Sequence, residues 1–465
     1  MRKQYILLLL VTGLFCQSPS QLRADDFEDA FTAVSNMKVG WNLGNTLDSN
    51  SGDTLNMWIE KWSSRRPVDY ETAWGQPQAT RALIHMFKEA GFNAIRVPVT
   101  WYPHYGTVTV NDLVWNMSSW QGYSINTAWM KRVKEIVEYV IDEGMYCILN
   151  VHHDTGAAST AWLVADEQIY NAQKYRFEQL WTKIALEFKD YDERLLFEGY
   201  NEMLDTYRSW CFASFNAPNS YNASVATSAY NAINSYAQSF VTKVRNTGGN
   251  NSQRNLIVST YGACCGEGSW NSHLLDPLKN MKLPTDKVDG HLIFEVHTYP
   301  DVSNLSSVKS SVRTMINNLK THLVSKGAPV IFGEWGSSGV DEDDYSKRHD
   351  NLLAFARYFV EQATAAGMGT FYWMGLSDGS DRSAPKWTQE DLKDEIIKGY
   401  YGEGGYIPDI AGDVNGDGTV DINDVVAVIN HMAGTSTYDK SDVNGDKEVN
   451  INDVVSIINI MAGNT

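Results

Sequence analysis

Two glutamates stand where apolar segments of the sequence end. Glu202 closes the segment LLFEGYNE at residues 195–202, and Glu334 closes the segment PVIFGE at residues 329–334. Each segment begins with an apolar run of the kind that forms a strand covered on both faces. A carboxylate at the rim of such a sheet costs desolvation free energy unless it is hydrogen-bonded or used. Taken alone, each glutamate could equally well be a structural carboxylate that forms an ion pair at the rim of the sheet.

Polar and aromatic residues also follow most of the other apolar segments. These residues are Asn42, Asn45, Arg96, His152, His153, Asp154, Asn201, His297, Tyr299, Trp335 and Trp373. Two carboxyls about 5–5.5 Å apart suit retaining glycoside hydrolysis, with one as acid/base and the other as nucleophile. Arg96 can keep Glu334 ionised, while His297 and Tyr299 can orient it. The set favours one converging site, with Glu202 as the acid/base.

Several neighbouring residues have a simpler interpretation. Glu198 and Glu295 should point into the sheet interior, where a charge-paired structural role is favoured over catalysis. His153 is expected to support the site, and no His, Asp or Glu set there has a clear metal-ligand spacing, so catalysis should need no metal. At least one further tryptophan near the segment ends is expected to stack a sugar, the candidates being Trp162, Trp210, Trp335 and Trp387.

Strand and helix patterns alternate along most of the chain. The strands are predicted at residues 38–43, 93–99, 146–152, 195–202, 256–260, 291–297, 329–334 and 370–373. The helices are predicted at residues 78–90, 127–143, 169–189, 228–245, 308–324, 345–366 and 391–398. Eight strands in this α/β order predict a (β/α)8 TIM barrel, whose chemistry sits at the C-terminal strand ends. A doubly wound sheet is the alternative, but no glycine-rich phosphate loop follows the first strand.

Composition limits the class of protein. The 465 residues suffice for one large domain and one or two small ones. The formal net charge is −18, with no basic stripe, so nucleic acid and anionic membranes are not expected partners. The 15 tryptophans and 24 tyrosines fit either sugar platforms or ordinary core. No segment beyond the N-terminus is a candidate membrane span, and the N-terminal apolar run is too short for one.

The N-terminus has the pattern of an export signal. A basic start at Arg2 and Lys3 precedes a short apolar run, and a cleavage site follows at residue 24. Secretion is therefore expected, while the bulky Phe15 argues against a lipid anchor at Cys16. Cys147 should be a buried thiol, and a disulfide from Cys211 to Cys264 or Cys265 stays open.

Six motifs occur in order at the spacing of barrel strands. They are GWNLGNTLD at residues 40–48, IRVPVTW at 95–101, LNVHHD at 149–154, LLFEGYNE at 195–202, VHTYP at 296–300 and FGEW at 332–335. Over about residues 27–399 the chain thereby resembles glycoside hydrolase family 5, and within it the endo-β-1,4-glucanases. The resemblance implies that Glu202 is the acid/base, Glu334 the nucleophile and Asn201 the ligand of the sugar 2-hydroxyl. It also implies a supporting shell of Arg96, His152, His297 and Tyr299 and a stacking platform at Trp373; Asn42 is expected to support the same site.

A duplicated acidic segment forms the end of the chain. The sequence DVNGDGTVDINDVVAVINHMAG begins at Asp413, and a near copy begins at Asp442. Each copy opens with a twelve-residue loop of EF-hand spacing, whose hard oxygen ligands suit Ca²⁺. The expected ligands are Asp413, Asn415, Asp417, the Thr419 carbonyl, Asp421 and Asp424 in the first loop, and Asp442, Asn444, Asp446, Glu448, Asn450 and Asp453 in the second.

Two departures from the EF-hand pattern stand out. Position 12 is aspartate in both loops, and Lys447 replaces the turn glycine that Gly418 supplies in the first. One helix follows each loop and none precedes it, so the tail resembles a dockerin. This resemblance implies two Ca²⁺ ions and a partner bearing a cohesin domain, on a scaffold or a cell surface. The predicted domains are a signal peptide at 1–24, a barrel at 25–400, a linker at 401–411 and an all-α dockerin at 412–465.

The hypothesis that follows is a secreted, retaining endo-β-1,4-glucanase acting on cellulose or related β-glucans, free or attached to a cell-surface complex. The same barrel could instead act on xyloglucan, mixed-linkage β-glucan, mannan or xylan. A non-catalytic glycan-binding barrel docked by its calcium module is the alternative from another class, although the two glutamates argue against it. A calcium sensor fits poorly, because the tail helices are short and joined to a large barrel.

Overall fold

The computed structural model describes residues 27–107, 120–210, 221–267, 272–338, 345–406 and 410–463. The predicted signal peptide and Cys211 lie outside these residues, so the export signal and the disulfide stay predictions. In the described part of the chain, no helix combines the length and the apolar character needed to cross a bilayer.

Eight parallel strands close into a barrel, as predicted. They are β1 (Val39–Asn42), β2 (Ala94–Val97), β3 (Tyr146–Asn150), β4 (Leu195–Glu198), β5 (Leu256–Cys264), β6 (Leu292–Thr298), β7 (Val330–Trp335) and β8 (Gly369–Trp373). Each strand pairs with the next, and β8 pairs with β1 to close the ring. Nearly every residue of these strands is buried, because helices cover the outside and side chains fill the inside.

The long helices pack around the barrel. Those that match predicted segments are Arg81–Glu89, Thr127–Asp142, Glu167–Glu187, Ala223–Asn246, Leu305–His322, Tyr345–Ala365 and Glu390–Tyr401. Shorter α-helices are Ala30–Met37, Trp58–Trp62, Pro67–Glu71, Asp276–Asn280 and Ser380–Ser383, and the 3-10 turns are Tyr102–His104, Gly249–Ser252 and Val324–Lys326. A two-stranded antiparallel hairpin, Tyr105–Thr107 with Gln121–Ile125, follows β2.

The first helix, Ala30–Met37, closes one end of the barrel. Its buried face, which includes Ala33 and Val34, shares an apolar cluster with interior residues such as Ile148 and Ile331. Sequence patterning did not predict this helix, since its apolar face is short. With one end filled by aliphatic side chains, the polar strand ends are left for the other.

Strand register brings the polar strand ends to one level. Asn42 of β1 lies opposite Arg96 of β2 and Trp373 of β8, and His297 of β6 lies opposite Glu334 of β7. Neighbouring parallel strands thus deliver their C-terminal side chains to the same mouth.

Two strand boundaries differ from prediction by four residues, and the others differ by no more than two. The strand β4 ends at Glu198, so Glu202 lies in the loop that follows rather than in the strand itself. The strand β5 runs on to Cys264, past an irregular register between Ser259 and Cys264. Sequence patterning underestimates such an extension because the apolar run stops before the strand does.

Two loop-helix units form the tail. Their helices, Ile422–Met432 and Ile451–Met461, begin at the N-caps Asp421 and Asn450, and the first turn of each is closed by a capping box. A small core links the two units; its members are Val414, Val425, Ala427, Val428, Val454 and Ile457. This arrangement confirms the predicted all-α tail.

Candidate active site and calcium loops

Arg96 is the centre of the polar cluster at the barrel mouth. The guanidinium is fully buried and donates to both oxygens of Glu198, at 2.6 and 2.7 Å. It also donates to Glu334 Oε1 at 2.8 Å, Asn201 Oδ1 at 2.8 Å and Asn42 Oδ1 at 3.0 Å. A buried charge is tolerated only when it is paired in this way. Arg96 therefore fixes side chains from several strands at once.

Glu334 is held by hydrogen bonds from two sides. Arg96 donates to Oε1, and the Tyr299 hydroxyl donates to Oε2 at 2.6 Å. His152 Nε2 lies 3.7 Å from Oε1. Donors aimed at both oxygens fix the plane of the carboxylate. Burial raises the pKa of Tyr299 well above its ordinary value, and Glu334 raises it further, so the phenol stays a donor.

Glu202 has a different environment. His297 Nδ1 lies 2.8 Å from its Oε1, and the side chain keeps a relative exposure of 21% towards the mouth. Burial raises the pKa of Glu202; the hydrogen bond and charge of His297 lower it, and the Glu334 carboxylate raises it again. Of the two carboxyls, Glu202 thus has the environment of a proton donor.

The two carboxyls lie close together. One oxygen of Glu202, one of Glu334 and a ring nitrogen of His297 all lie within 4.8 Å of one another. His297 Nδ1 is 3.5 Å from Glu334 Oε2. The closest carboxyl oxygens are thus nearer than the separation of about 6.5–9.5 Å found between the carboxyls of inverting glycosidases. The same proximity would suit a cation, but Arg96 already supplies positive charge to this cluster.

The two histidines after β3 line the wall beside Trp373. The His152 ring is parallel to the Trp373 ring, with centroids 5.7 Å apart. Burial lowers the pKa of His152 well below its ordinary value and that of His153 to about 4, so both rings are neutral at neutral pH. Asn150 Nδ2 lies 2.9 Å from His152 Nδ1 and orients the ring.

Asp48 belongs to the same wall and was missed as a site residue by the sequence analysis. Its carboxylate accepts from the backbone N–H groups of Asn45 and Thr46 and lies 3.8 Å from His153 Nε2. Burial raises the pKa of Asp48 to about 6. The only sequence signal for it was its place in the motif after β1, because its partner comes from a different strand.

Asn42 has the geometry of a support. Its Nδ2 donates to the backbone carbonyls of Gly333, Phe371 and Tyr372, and its Oδ1 accepts from Arg96. With donors and acceptor engaged, this fully buried amide ties β1 to β7 and β8.

The two interior glutamates are charge-paired, in agreement with their sequence interpretation. Glu198 forms two hydrogen bonds with Arg96, and burial raises its pKa to about 7. Glu295 lies 3.2 Å from Arg96 Nη2 and 3.1 Å from His297 Nε2. Burial raises the pKa of Glu295, but Arg96 and His297 outweigh it and hold the value below the ordinary one.

Two of the four additional tryptophans are not available as platforms. Trp162 is fully buried and donates to Asp154, and Trp335 is buried against Phe359. Both are core residues, so the expectation that at least one of the four stacks a sugar is left to Trp210 and Trp387. Half-buried Trp210 and Trp387 pack against the same core. Trp74, whose ring lies 5.3 Å from that of His153, is a further aromatic residue at the mouth.

The tail loops have the shape of cation loops. In the first, Asp413 accepts from the backbone of Gly416, Asp417 and Gly418, and Asp424 accepts from Val414, Asn415 and Asp421. In the second, Asp442 accepts from the backbone of Asp446 and Lys447, and Asp453 accepts from Val443, Asn444 and Asn450. Carboxylates aimed into a turn of backbone amides form an oxygen-rich set that fits Ca²⁺.

The turn position distinguishes the two loops. Gly418 has φ +86°, and Lys447 at the same place in the second loop has φ +69°. The second loop thus holds a side-chain-bearing residue in left-handed backbone, which costs on the order of 1 kcal/mol.

Comparison with known proteins agrees with this architecture. The model of cellulase (glycosyl hydrolase family 5) matches residues 62–378, and that of the dockerin type I domain matches residues 411–462. The endoglucanase B of Neocallimastix patriciarum is 32% identical over 387 residues, which cover 79% of this chain and 71% of that protein.

Solved structures are similar over most of the chain. A GH5-4 broad specificity endoglucanase from an uncultured bacterium is 50% identical, with a TM-score of 0.74 and coverage of 82% of this chain and 98% of that one. A family 5 enzyme of Prevotella bryantii, solved with a xyloglucan tetradecasaccharide, is 38% identical, with a TM-score of 0.68 and coverage of 80% and 99%. The chain thus belongs to glycoside hydrolase family 5, as an endo-1,4-β-glucanase that carries a C-terminal dockerin type I domain.

Proposed function

We propose that the protein hydrolyses internal β-1,4 bonds of β-glucans with retention of configuration, by double displacement. Glu334 is the nucleophile and Glu202 the acid/base. The observation that carries the proposal is the proximity of the two carboxyls, whose oxygens approach within 4.8 Å. That distance leaves no room for the water that an inverting enzyme holds between its carboxyls.

The first half of the reaction forms a glycosyl-enzyme. The Glu334 carboxylate, oriented by Arg96 and Tyr299, attacks the anomeric carbon. Glu202 gives its proton to the leaving glycosidic oxygen as the carbon–oxygen bond breaks. Burial raises the pKa of Glu202, which favours the protonated form that this step needs.

The second half releases the sugar. Glu202, now a carboxylate, takes a proton from a water molecule that attacks the anomeric carbon from the side of the departed group. The bond to Glu334 breaks and its carboxylate is restored. One water molecule is consumed, and Glu202 has regained its proton.

The neighbouring side chains position the sugar. Arg96 engages Asn201 Oδ1, so the amide must turn its Nδ2 donor towards the mouth and His152, where a sugar 2-hydroxyl can accept from it. Trp373, partly exposed beside His152, offers an aromatic face to the apolar face of the ring. His153 supports this wall from the side of Asp48.

The stereochemistry of the first product tests this mechanism. Early time points of cellohexaose hydrolysis, followed by ¹H NMR, should show the β-anomer at the new reducing end before mutarotation. The α-anomer as the first product would rule out the covalent route, whichever residues were involved.

The comparisons favour a broad β-glucan substrate range. Among the similar structures is a broad specificity endoglucanase, and another was solved with xyloglucan. We therefore propose that the chain cleaves xyloglucan as well as cellulosic β-1,4-glucan. Turnover measured on cellulose derivatives, xyloglucan, mixed-linkage β-glucan, mannan and xylan ranks these substrates directly. Xyloglucan turnover at background, beside full cellulosic activity, would restrict the proposal to unbranched chains.

We further propose that the dockerin binds two Ca²⁺ ions and attaches the enzyme to a cohesin-bearing partner. Each helix exposes a matching apolar stripe, one of Ile422, Val426, Ile429 and Met432 and the other of Ile451, Val455, Ile458 and Met461. A secreted enzyme with a signal peptide at 1–24 and a domain boundary at residues 401–411 fits this arrangement. Binding to a panel of cohesin domains, with and without a chelator, measures the partnership.

Calcium titration of chelated protein by calorimetry should give two ions per chain. Lys447→Gly relieves the left-handed strain and removes a positive charge, so the second loop should bind Ca²⁺ about fivefold more tightly, roughly 1 kcal/mol. The reciprocal variant Gly418→Lys should weaken the first loop by a similar factor. Binding of only one ion per chain, or an unchanged Ca²⁺ affinity in both the Lys447→Gly and the Gly418→Lys variants, would contradict the assignment.

A further inference from the structure

His297 is bound at both ring nitrogens by carboxylates. Its Nδ1 lies 2.8 Å from Glu202 Oε1, and its Nε2 lies 3.1 Å from Glu295 Oε1. The imidazole is buried, and Glu295 is completely so. Glu202 is thereby connected through one ring to a fully buried carboxylate inside the barrel.

The position of Glu295 is fixed by neighbouring strands. Ser259 of β5 donates its hydroxyl to Oε2, and Arg96 of β2 lies 3.2 Å from Oε1. On β7, a Cβ at Gly333 would overlap the Glu295 carboxylate, so the absence of a side chain there makes its room. Three strands therefore hold the carboxylate against His297.

We propose that Glu295 is a positioning residue for hydrolysis: it holds the Nε2–H of His297, so that Nδ1 shares with Glu202 the proton that the leaving group receives. The inference rests on the proposed role of Glu202 as acid/base. It adds a proton-holding partner to that role and a function for an interior carboxylate.

The chemistry follows from what a carboxylate can do. An ionised Glu295 only accepts, so Nε2 must carry a hydrogen. Nδ1 then either donates to a Glu202 carboxylate as part of the ring cation, or accepts from a Glu202 carboxylic acid. These two arrangements differ only in the position of one proton between Nδ1 and Oε1.

The charges around the ring agree with a retained proton. Burial alone would lower the pKa of His297, but Glu334, Glu202 and Glu295 raise it to about 10. When Glu202 protonates the leaving oxygen, the shared proton leaves the pair, and His297 is then neutral with its hydrogen on Nε2. The proton released by the attacking water in the second half restores the pair, so protons balance over the cycle.

The titratable groups around the Glu295–His297 pair come from several strands and loops. They are Arg96, His152, Glu198, Tyr200, Glu202, Tyr299 and Glu334. Glu198 offers a matched control. It too is a buried carboxylate on Arg96, but its other hydrogen bond is with Asn150 rather than with His297.

The test compares the pH dependence of kcat/KM for the wild type, Glu295→Gln and Glu198→Gln on a soluble β-glucan. Glutamine keeps the size and an acceptor oxygen but removes the charge. Without the anion the His297 cation loses its proton more readily, so the basic limb of Glu295→Gln should move down by about one pH unit or more. The basic limb of Glu198→Gln should move by less than half as much.

Histidine-¹⁵N NMR of the full chain supplies the second readout, with the His297 signal assigned by its loss in His297→Gln. In the wild type the ring should carry the Nε2 proton at neutral pH, with one further proton shared between Nδ1 and Glu202. A neutral ring with its proton on Nδ1 would overturn the proposal even if Glu295→Gln did not fold. If the basic limb of the pH profile does not move in Glu295→Gln while Glu202→Gln and Glu334→Gln are inactive, the positioning role alone is overturned. If Glu202→Gln and Glu334→Gln are active, the proposed function is overturned instead.

Discussion

Glu334→Gln should lower kcat on soluble β-glucan by at least about 10⁴-fold, since removal of a covalent nucleophile is among the largest single-residue losses. The amide has nearly the same volume and can still accept from Tyr299 or Arg96, so the fold should persist. Its neutral oxygen is a far weaker nucleophile than the carboxylate, and no glycosyl-enzyme can form at a useful rate. Reducing-sugar release at saturating substrate measures the loss.

A surface variant and the azide anion provide a control and a second readout for the Glu334 experiment. Glu187→Gln, at an exposed helical position paired with Lys134, changes the same functional group and should keep wild-type turnover. Glu334→Ala opens a space for azide, which should attack from the nucleophile's side and give the α-glycosyl azide. Turnover of Glu334→Gln within tenfold of the wild type would assign the nucleophile elsewhere.

Glu202→Gln should reduce turnover of natural β-glucans by about 10²–10⁴-fold, the range expected for loss of a general acid/base. The loss should depend on the leaving group, because an activated aryl glycoside departs without a proton. On such a substrate the first step stays fast and the second, which lacks its base, becomes limiting. Pre-steady-state release of the aryl group should therefore show a burst.

Azide separates this variant from the nucleophile variant. It needs no general base, so it should accelerate Glu202→Gln turnover of the aryl glycoside and yield the β-glycosyl azide. Equal losses on aryl and natural substrates, with no azide effect, would contradict the acid/base role. Circular dichroism of both variants controls for folding.

The barrel was predictable because its strands are buried on both faces and therefore read as continuous apolar runs. The strand boundaries were less predictable: the strand β4 ends at Glu198, and the loop after it carries Asn201 and Glu202. The helix Ala30–Met37 was missed because its apolar face is only a few residues long. Local pattern decides which segments are strands, whereas their ends depend on pairing partners distant in sequence.

The site residues also divide into those that the sequence predicts and those that it does not. Residues that follow apolar runs, such as Arg96 and Glu334, were visible in the sequence. The Asp48–His153 approach and the connection of Glu202 to Glu295 through His297 were not, because each joins side chains that are distant in sequence. Burial of Trp162 could not be predicted either, since the direction of its loop is set by tertiary packing.

The calcium loops were the most predictable part, because their expected ligands lie within twelve consecutive residues and repeat. Even the exceptional turn at Lys447 was visible as a departure from the pattern, and its positive φ gives that departure a physical consequence.

The most direct test of the double displacement is to trap its intermediate. A 2-deoxy-2-fluoro cellobioside with a good leaving group slows both steps, the second more than the first, so the glycosyl-enzyme should accumulate. Intact-mass spectrometry should then show one added fluoroglycosyl group per chain, and peptide mapping should place it on Glu334. Labelling at another residue, or no labelling of an enzyme that the compound still inactivates, would contradict Glu334 as the nucleophile.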